Sequence, residues 1–171
     1  MRHLPLHEVD PDAVERLLDR AFGPDRRART AYKVRGTARA IPHLSFAAIK
    51  DGALLGTVQC WPVRLLGDDG AAHRLVMVGP VAVEPARQGT GVGRALMARS
   101  LDTARGTGED AALTLIGDPE YYERFGFTAE RTGAWRLPGP FERRRLLARG
   151  DSVPDMPGSL GPALDEQADA A

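Results

Sequence analysis

Cysteine is nearly absent: Cys60 stands alone in 171 residues. A single thiol excludes an internal disulfide framework and any zinc site built from several cysteines. No stretch approaches the roughly 18 consecutive apolar residues of a spanning helix. The first ten residues, Met1 to Asp10, lack the apolar run of a signal-peptide core. These absences lead to the expectation of a cytoplasmic protein with no membrane association. Net charge is missing as well, because 23 basic groups balance 23 acidic ones. That balance argues against the basic stripes and high pI of a duplex-binding protein, so no nucleic-acid partner is expected.

What is present suits one ordinary domain. The length is enough to bury a core without staples. A hydrophobic fraction of 43% excludes wholesale disorder. Charge is unevenly spread. From Gly150 to Ala171 there are five acids (Asp151, Asp155, Asp165, Glu166, Asp169) and no Lys or Arg, which leaves 23 positive and 18 negative groups in the first 149 residues. A modestly basic body suits a small polyanionic ligand. The dense cluster Arg143-Arg144-Arg145 with Arg149 reads as solvated surface, or as surface neutralised by the neighbouring acids.

Asp10-Pro11 opens a first helix, with Asp10 as cap and Pro11 at the first helical position. Val14, Leu17, Leu18 and Ala21 recur at helical spacing, and Gly23-Pro24 ends the run. The basic stretch 25–40 is expected as a second, exposed helix or an ordered loop. Leu44 to Ile49, Leu54 to Leu66 and His73 to Val83 then read as an antiparallel meander, turned at Asp51-Gly52 and Gly67 to Gly70. Pro62 confines its strand to an edge or a bulge. Arg94 to Arg105 is helical in pattern and Ala111 to Ile116 is a short buried strand. Pro119 to Phe125 is a short helix capped by Asp118, and 127–137 supplies one or two closing strands. The division expected is a domain over 1–138 and an acidic, Pro/Gly-rich tail over 139–171.

The chemistry gathers in Val78-Gly-Pro-Val-Ala-Val-Glu-Pro-Ala-Arg-Gln-Gly-Thr-Gly-Val-Gly-Arg-Ala-Leu96, a strand, a glycine loop and a helix in succession. Gly89, Gly91 and Gly93 allow a sharp turn and close approach of the backbone to a ligand. The first N–H groups of a helix have no intrahelical partners and the helix dipole favours negative charge, so the loop suits phosphate oxygens. A P-loop is excluded because Arg94-Ala95 follow Gly93 where Lys-Ser/Thr belongs. A dinucleotide fingerprint fails on glycine spacing and on the preceding meander.

Gln88-Gly-Thr-Gly-Val-Gly93 resembles the Gln/Arg-x-x-Gly-x-Gly/Ala signature of the GCN5-related N-acetyltransferases. Gly79 to Pro85 is similar to that family's fourth strand, and Tyr122-Glu-Arg-Phe-Gly-Phe127 to its Tyr-x-x-x-Gly-Phe element. The stretch Gly117 to Phe127 also resembles a bacterial subgroup of acetyltransferases whose acceptors are mostly unassigned. The resemblance spans about Ser45 to Phe127 and implies an α+β acyl-CoA N-acyltransferase fold, a mixed and mostly antiparallel sheet flanked by helices. It implies acetyl-CoA as donor, without metal, and an amine acceptor. Val81 and Val83 would hold the pantetheine arm. Backbone N–H groups of Gln88, Gly89, Thr90, Gly91, Val92, Gly93 and Arg94 would take the pyrophosphate, and an N–H near Val81–Ala82 would face the acetyl carbonyl. Tyr122 would be the general acid and Tyr121 its packing neighbour.

Many family members carry a glutamate on the fourth strand, whereas His73-Arg-Leu-Val-Met-Val78 has no carboxylate. His73, His43 or a water chain remain as routes for the amine proton. Cys60 reads as a small buried hydrophobe rather than a nucleophile. The rival reading is a non-catalytic acyl-CoA-binding module, and either a monomer or a homodimer fits.

Overall fold

The computed structural model describes residues 1–163. The elements in chain order are β1 (Arg2–Pro5), α1 (Pro11–Phe22), α2 (Thr30–Arg35), β2 (Phe46–Lys50), β3 (Ala53–Gly67) and β4 (Ala72–Val83). They continue with α3 (Val92–Thr107), β5 (Leu113–Ile116), α4 (Pro119–Tyr122), β6 (Trp135–Arg136), β7 (Leu146–Arg149) and β8 (Gly158–Pro162). The strands pair in the order β1-β2-β3-β4-β5-β7, and β8 pairs with β3 and β6. Only β4–β5 and β6–β8 are parallel among the registers established for the described residues. Among those residues no helix is long and apolar enough to cross a membrane.

The chain groups into two compact units. The first holds residues 1–27, 40–60 and 78–108. Asp10 Oδ1 accepts the N–H of Asp12 at 3.1 Å and starts α1, whose Val14, Leu17 and Leu18 cluster with Ala82 and Leu54. On β3, Gly56 faces the other way: a Cβ there would lie 2.9 Å from Val92 Cγ1 and 3.1 Å from Leu96 Cδ1 of α3. Helices therefore cover both faces of this part of the sheet, and Gly56 is what lets α3 come so close.

The second unit holds residues 28–39, 61–77 and 109–163 of the described chain. Trp135, Phe127, Leu113, Leu146 and Leu147 are fully buried there. The indole N–H of Trp135 donates to Pro154 O at 3.3 Å. Arg143 donates to the carbonyls of Thr132, Gly133 and Trp135, and Arg131 to those of Gly150, Asp151 and Val153. These arginines tie down irregular chain whose carbonyls have no ladder to join.

The segment expected as a tail after Pro138 instead supplies β7, paired with β5 from Leu113/Arg149 to Ile116/Leu146, and β8, paired with β3 from Val63/Pro162 to Gly67/Gly158. Proline, glycine and acids between two very short strands gave the stretch the composition of a tail. Its apolar residues Leu146, Leu147, Val153 and Leu160 are nevertheless buried. Asp165, Glu166 and Asp169 lie outside the described residues. The expected arginine cluster is not simply solvated: Arg143 binds carbonyls and Arg144 pairs with Glu120. Pro62 lies where β3 has lost β2 after Val58 and not yet met β8 at Val63, so its missing N–H falls in a gap between ladders. The edge strand β1, paired with β2, had no counterpart in the sequence reading.

Candidate functional site

In the first unit, the N–H of Glu84 donates to Leu55 O at 2.8 Å and ends β4. Pro85 begins a single tight turn, Gly89 and Gly91 take positive φ of 79° and 91°, and α3 starts at Val92. Buried Val92, Leu96 and Met97 anchor the helix. The first bond into the helix runs from Ala95 N–H to Gly91 O at 3.0 Å. Of the expected phosphate-binding run, Thr90 N–H is held by Arg87 O at 3.3 Å and Gln88 N–H by Pro85 O at 3.5 Å. The N–H groups of Gly89, Gly91, Val92, Gly93 and Arg94 have no backbone partner among the described residues, and no side chain caps the helix. They form a cradle of five unengaged donors at a helix N-terminus, the arrangement that binds anions. Glu84, at the mouth of the loop, takes two bonds from Arg20, at 3.1 and 2.7 Å, which sequence reasoning did not anticipate.

The strand leading into this loop is bulged. Gly67 N–H bonds Ala71 O at one end of the β3–β4 hairpin and Glu84 N–H bonds Leu55 O at the other. Between these bonds β4 advances thirteen residues (71 to 84) while β3 advances twelve (55 to 67), so β4 carries one extra. Val76 donates toward β5, to Ala112 O, whereas Glu84 donates toward β3, so the extra residue lies between them. Gly79, with φ +124°, and Pro80, without an N–H, mark the place. The β4–β5 ladder is confined to Val76/Leu113 and Met77/Thr114. Beyond the bulge, alternation turns Ala82 toward β3 and leaves the N–H and C=O groups of Val81 and Val83 on an edge with no ladder.

In the second unit, Asp118 Oδ1 accepts the N–H of Glu120 at 3.2 Å and Pro119 opens α4, as the cap pattern predicts. Tyr122 stands at the end of α4, its ring 4.9 Å from that of Tyr121 and 6.4 Å from those of Phe125 and Phe127. Gly117 makes room for it: a Cβ there would lie 2.9 Å from Tyr122 Cδ2 and closer still to Cε2. That role was hidden in the sequence, where Gly117 stands only as the first residue of the stretch Gly117 to Phe127. Burial, reinforced by Tyr121, pushes the Tyr122 phenol up to about 12. It therefore keeps its proton throughout the neutral range, and no hydrogen bond engages its hydroxyl among the described residues. Tyr121 is clasped differently, with the Arg124 guanidinium 4.7 Å above its ring.

The other candidates fall into place residue by residue. Cys60 is buried and its N–H donates to Ser45 Oγ at 3.1 Å. His43 is exposed on a turn, and His73 Nε2 is buried without a partner. Two further polar atoms were missed: Thr57 Oγ1 and Gln59 Oε1, both buried and unpartnered on β3. The available signal was a pair of polar residues spaced by two in the otherwise apolar first half of β3. Among the described residues no group of His, Cys, Asp or Glu could hold a metal ion.

The family model for the acetyltransferase (GNAT) domain matches residues 4–129. The chain belongs to the GNAT acetyltransferases. It is 33% identical over 120 residues, 70% of this chain and 68% of the relative, to the uncharacterised N-acetyltransferase YhbS of Escherichia coli K12. The crystal structure of E. coli YhbS in complex with CoA is similar at TM-score 0.68 and 26% identity, over 86% of this chain and 81% of that one. A GNAT family acetyltransferase from Brucella melitensis in complex with acetyl-CoA gives TM-score 0.59 and 28% identity, over 91% and 90%. The mixed, mostly antiparallel sheet with flanking helices is the GNAT fold of these neighbours.

Proposed function

We propose that this GNAT acetyltransferase carries acetyl from acetyl-CoA to a primary amine by direct attack. The observation that carries the reading is the cradle of five unengaged N–H groups from Gly89 to Arg94 at the start of α3. They take the pyrophosphate, and the N–H groups of Gln88 and Thr90 shape the loop rather than bind. Val81 and Val83 hold the pantetheine amides along the open edge of β4 as a strand would. The Val81 N–H meets the thioester carbonyl as it becomes an oxyanion; the main chain of Ala82 is turned to β3. Losing one such donor typically costs about 2.7–4 kcal/mol of barrier.

The amine nitrogen bonds the thioester carbon and the carbon–sulfur bond breaks. The sulfur leaves with the Tyr122 proton, and the proton shed by nitrogen passes to water, which restores the phenol. Products are the amide and free CoA thiol. The phenol is available as a donor because it holds its proton at neutral pH; at about 12 it is a weaker acid than a thiol at about 8.5, so the transfer depends on its prompt reprotonation. Saturable acetyl-CoA binding by calorimetry, with release of free thiol when amines are added, tests the reading. Tyr122→Phe is expected to lower kcat about 100-fold while leaving the acetyl-CoA Kd unchanged. Binding without turnover on any amine would favour the non-catalytic module, a reading supported by the absence of a carboxylate from His73 to Val78.

A further inference from the structure

Two buried oxygens on β3 have no hydrogen-bond partner among the described residues. Thr57 is fully buried and Gln59 is 8% exposed, yet Thr57 Oγ1 and Gln59 Oε1 have no hydrogen-bond partner. A buried polar atom left without a partner is costly, and one kept in a native fold calls for a functional explanation. Their place in the fold is specific. Gly56 and Phe46 face α3, with Arg99 of α3 lying 5.1 Å over the Phe46 ring. Thr57, paired with Ala47, and Gln59, two residues on, therefore point to the opposite face, the one α1 covers. Counted from the Leu55–Glu84 bond, Thr57 lies opposite Ala82 and Gln59 opposite Pro80. The pair borders the stretch of β4 that includes Val81.

The charge around them is spent elsewhere. Arg26 is the only charged side chain buried among the described residues, and Glu15 and Asp19 of α1 hold it. Arg27 also pairs with Glu15, Arg20 with Glu84, and Arg16 with Asp10. His3, opposite Ala48 on β2, is on the α3 face. Thr57 and Gln59 themselves offer a cation only neutral oxygens in exchange for its hydration, whereas they offer a neutral amine acceptors for its N–H groups.

We propose that Gln59 and Thr57 form the polar floor of the acceptor site, and that the acceptor is a weakly basic primary amine, the α-amino group of an amino acid or peptide, taken up as free base. The inference rests on the acetyl-transfer reading above. Gln59, the more accessible, accepts the amine N–H, and Thr57 completes the floor beneath it. At pH 7 an α-amino group with pKa near 7.8 has about 300-fold more free base than a lysine side chain with pKa near 10.4.

The test uses the full chain, acetyl-CoA and two probes: alanyl-alanine amide, with a free α-amino group, and Nα-acetyl-lysine amide, with a free ε-amino group. Free-thiol release at pH 7 is expected to favour the first by more than about 30-fold in kcat/KM, the higher nucleophilicity of the basic amine offsetting part of the difference in free base. Gln59→Leu, and separately Thr57→Val, should lower kcat/KM for that probe about five- to tenfold with the acetyl-CoA Kd unchanged. Neither should lower the melting temperature, because an apolar isostere removes an orphan; a purely structural role would show the reverse pattern. Equal or better use of the lysine probe overturns the proposal, as does wild-type kcat/KM in both variants. Turnover of neither probe by protein that binds acetyl-CoA overturns it too, while leaving the donor site intact. Failure to bind acetyl-CoA removes the donor reading beneath it and the proposal with it.

Discussion

Replacing Gly117 by alanine separates the position of Tyr122 from its chemistry. The new Cβ would sit 2.9 Å from Tyr122 Cδ2, nearer still to Cε2, and 3.2 Å from Leu115 Cδ1. Ordinary contact begins at 3.4 Å, so the ring must withdraw by more than half an ångström. It has little room to do so, with Tyr121 at 4.9 Å on one side and Phe127 at 6.4 Å on another. Overpacking of this kind costs about 1–3 kcal/mol of stability. A misplacement approaching 1 Å costs up to about 100-fold in rate. Gly117→Ala is therefore expected to lower kcat ten- to a hundredfold, with about 1–3 kcal/mol lost in denaturant titration and acetyl-CoA affinity retained. Tyr122→Phe, which keeps the ring and removes an unengaged hydroxyl, should lose rate without losing stability. If Gly117→Ala were destabilised and yet turned over at the wild-type rate, Tyr122 would be a packing residue. If it were neither slower nor less stable, the placement of the ring over Gly117 would be wrong.

Gly91→Val should weaken acetyl-CoA binding at least about tenfold by calorimetry, because φ of 91° strains a branched residue by roughly 1–3 kcal/mol and so distorts the loop proposed to hold the pyrophosphate. Gly52→Val is the control: φ is 76°, the Cβ meets nothing within 4 Å, and binding should be unchanged. Truncation after Gly150 should destabilise the chain, since it removes β8, the Pro154 acceptor of Trp135 and the buried Val153 and Leu160, worth about 3–6 kcal/mol of burial against total stabilities of roughly 5–15; a soluble product with wild-type melting would restore the tail reading. Because the amine binds as free base, kcat/KM should rise with pH as the free amine loses its proton, and with the Tyr122 phenol up at about 12 kcat should show no falling limb below about pH 11. A fall near pH 9 would mean that another group supplies the proton.

The glycine loop and the cap of α4 were legible in the sequence because their signals are local. Glycines at 89 and 91 announce positive φ, and Asp118-Pro119 announces a capped helix; the backbone adopts both. Non-local pairing was harder to read. β7 and β8 are four and five residues long, and their partners β5 and β3 lie far away in the chain. Tail-like composition concealed them because a few buried leucines suffice once a ladder is available. The bulge in β4 was equally hidden: it appears only when the two ends of the hairpin are counted against each other. Gly117 and the Thr57–Gln59 pair depend on what faces each residue across the fold, which spacing along one chain does not encode.

That difference has a chemical basis. On the proposed reading, main-chain amides bind the pyrophosphate and the pantetheine arm, so the sequence need only supply the glycines and the strand edge that expose them. An acceptor amine is discriminated by side chains, whose meaning depends on their surroundings. Neutral oxygens beside β4 select differently from a carboxylate. A carboxylate stabilises an arriving ammonium and can take its proton, which admits strongly basic amines. Thr57 and Gln59 can do neither, so discrimination passes to the amine's own acidity: each unit of pKa above the working pH costs about 1.4 kcal/mol to shed the proton before binding. The lack of a carboxylate from His73 to Val78 then need not imply an inactive module. An acceptor that arrives as free base needs no base to make it nucleophilic, and the proton it sheds after attack can pass to water.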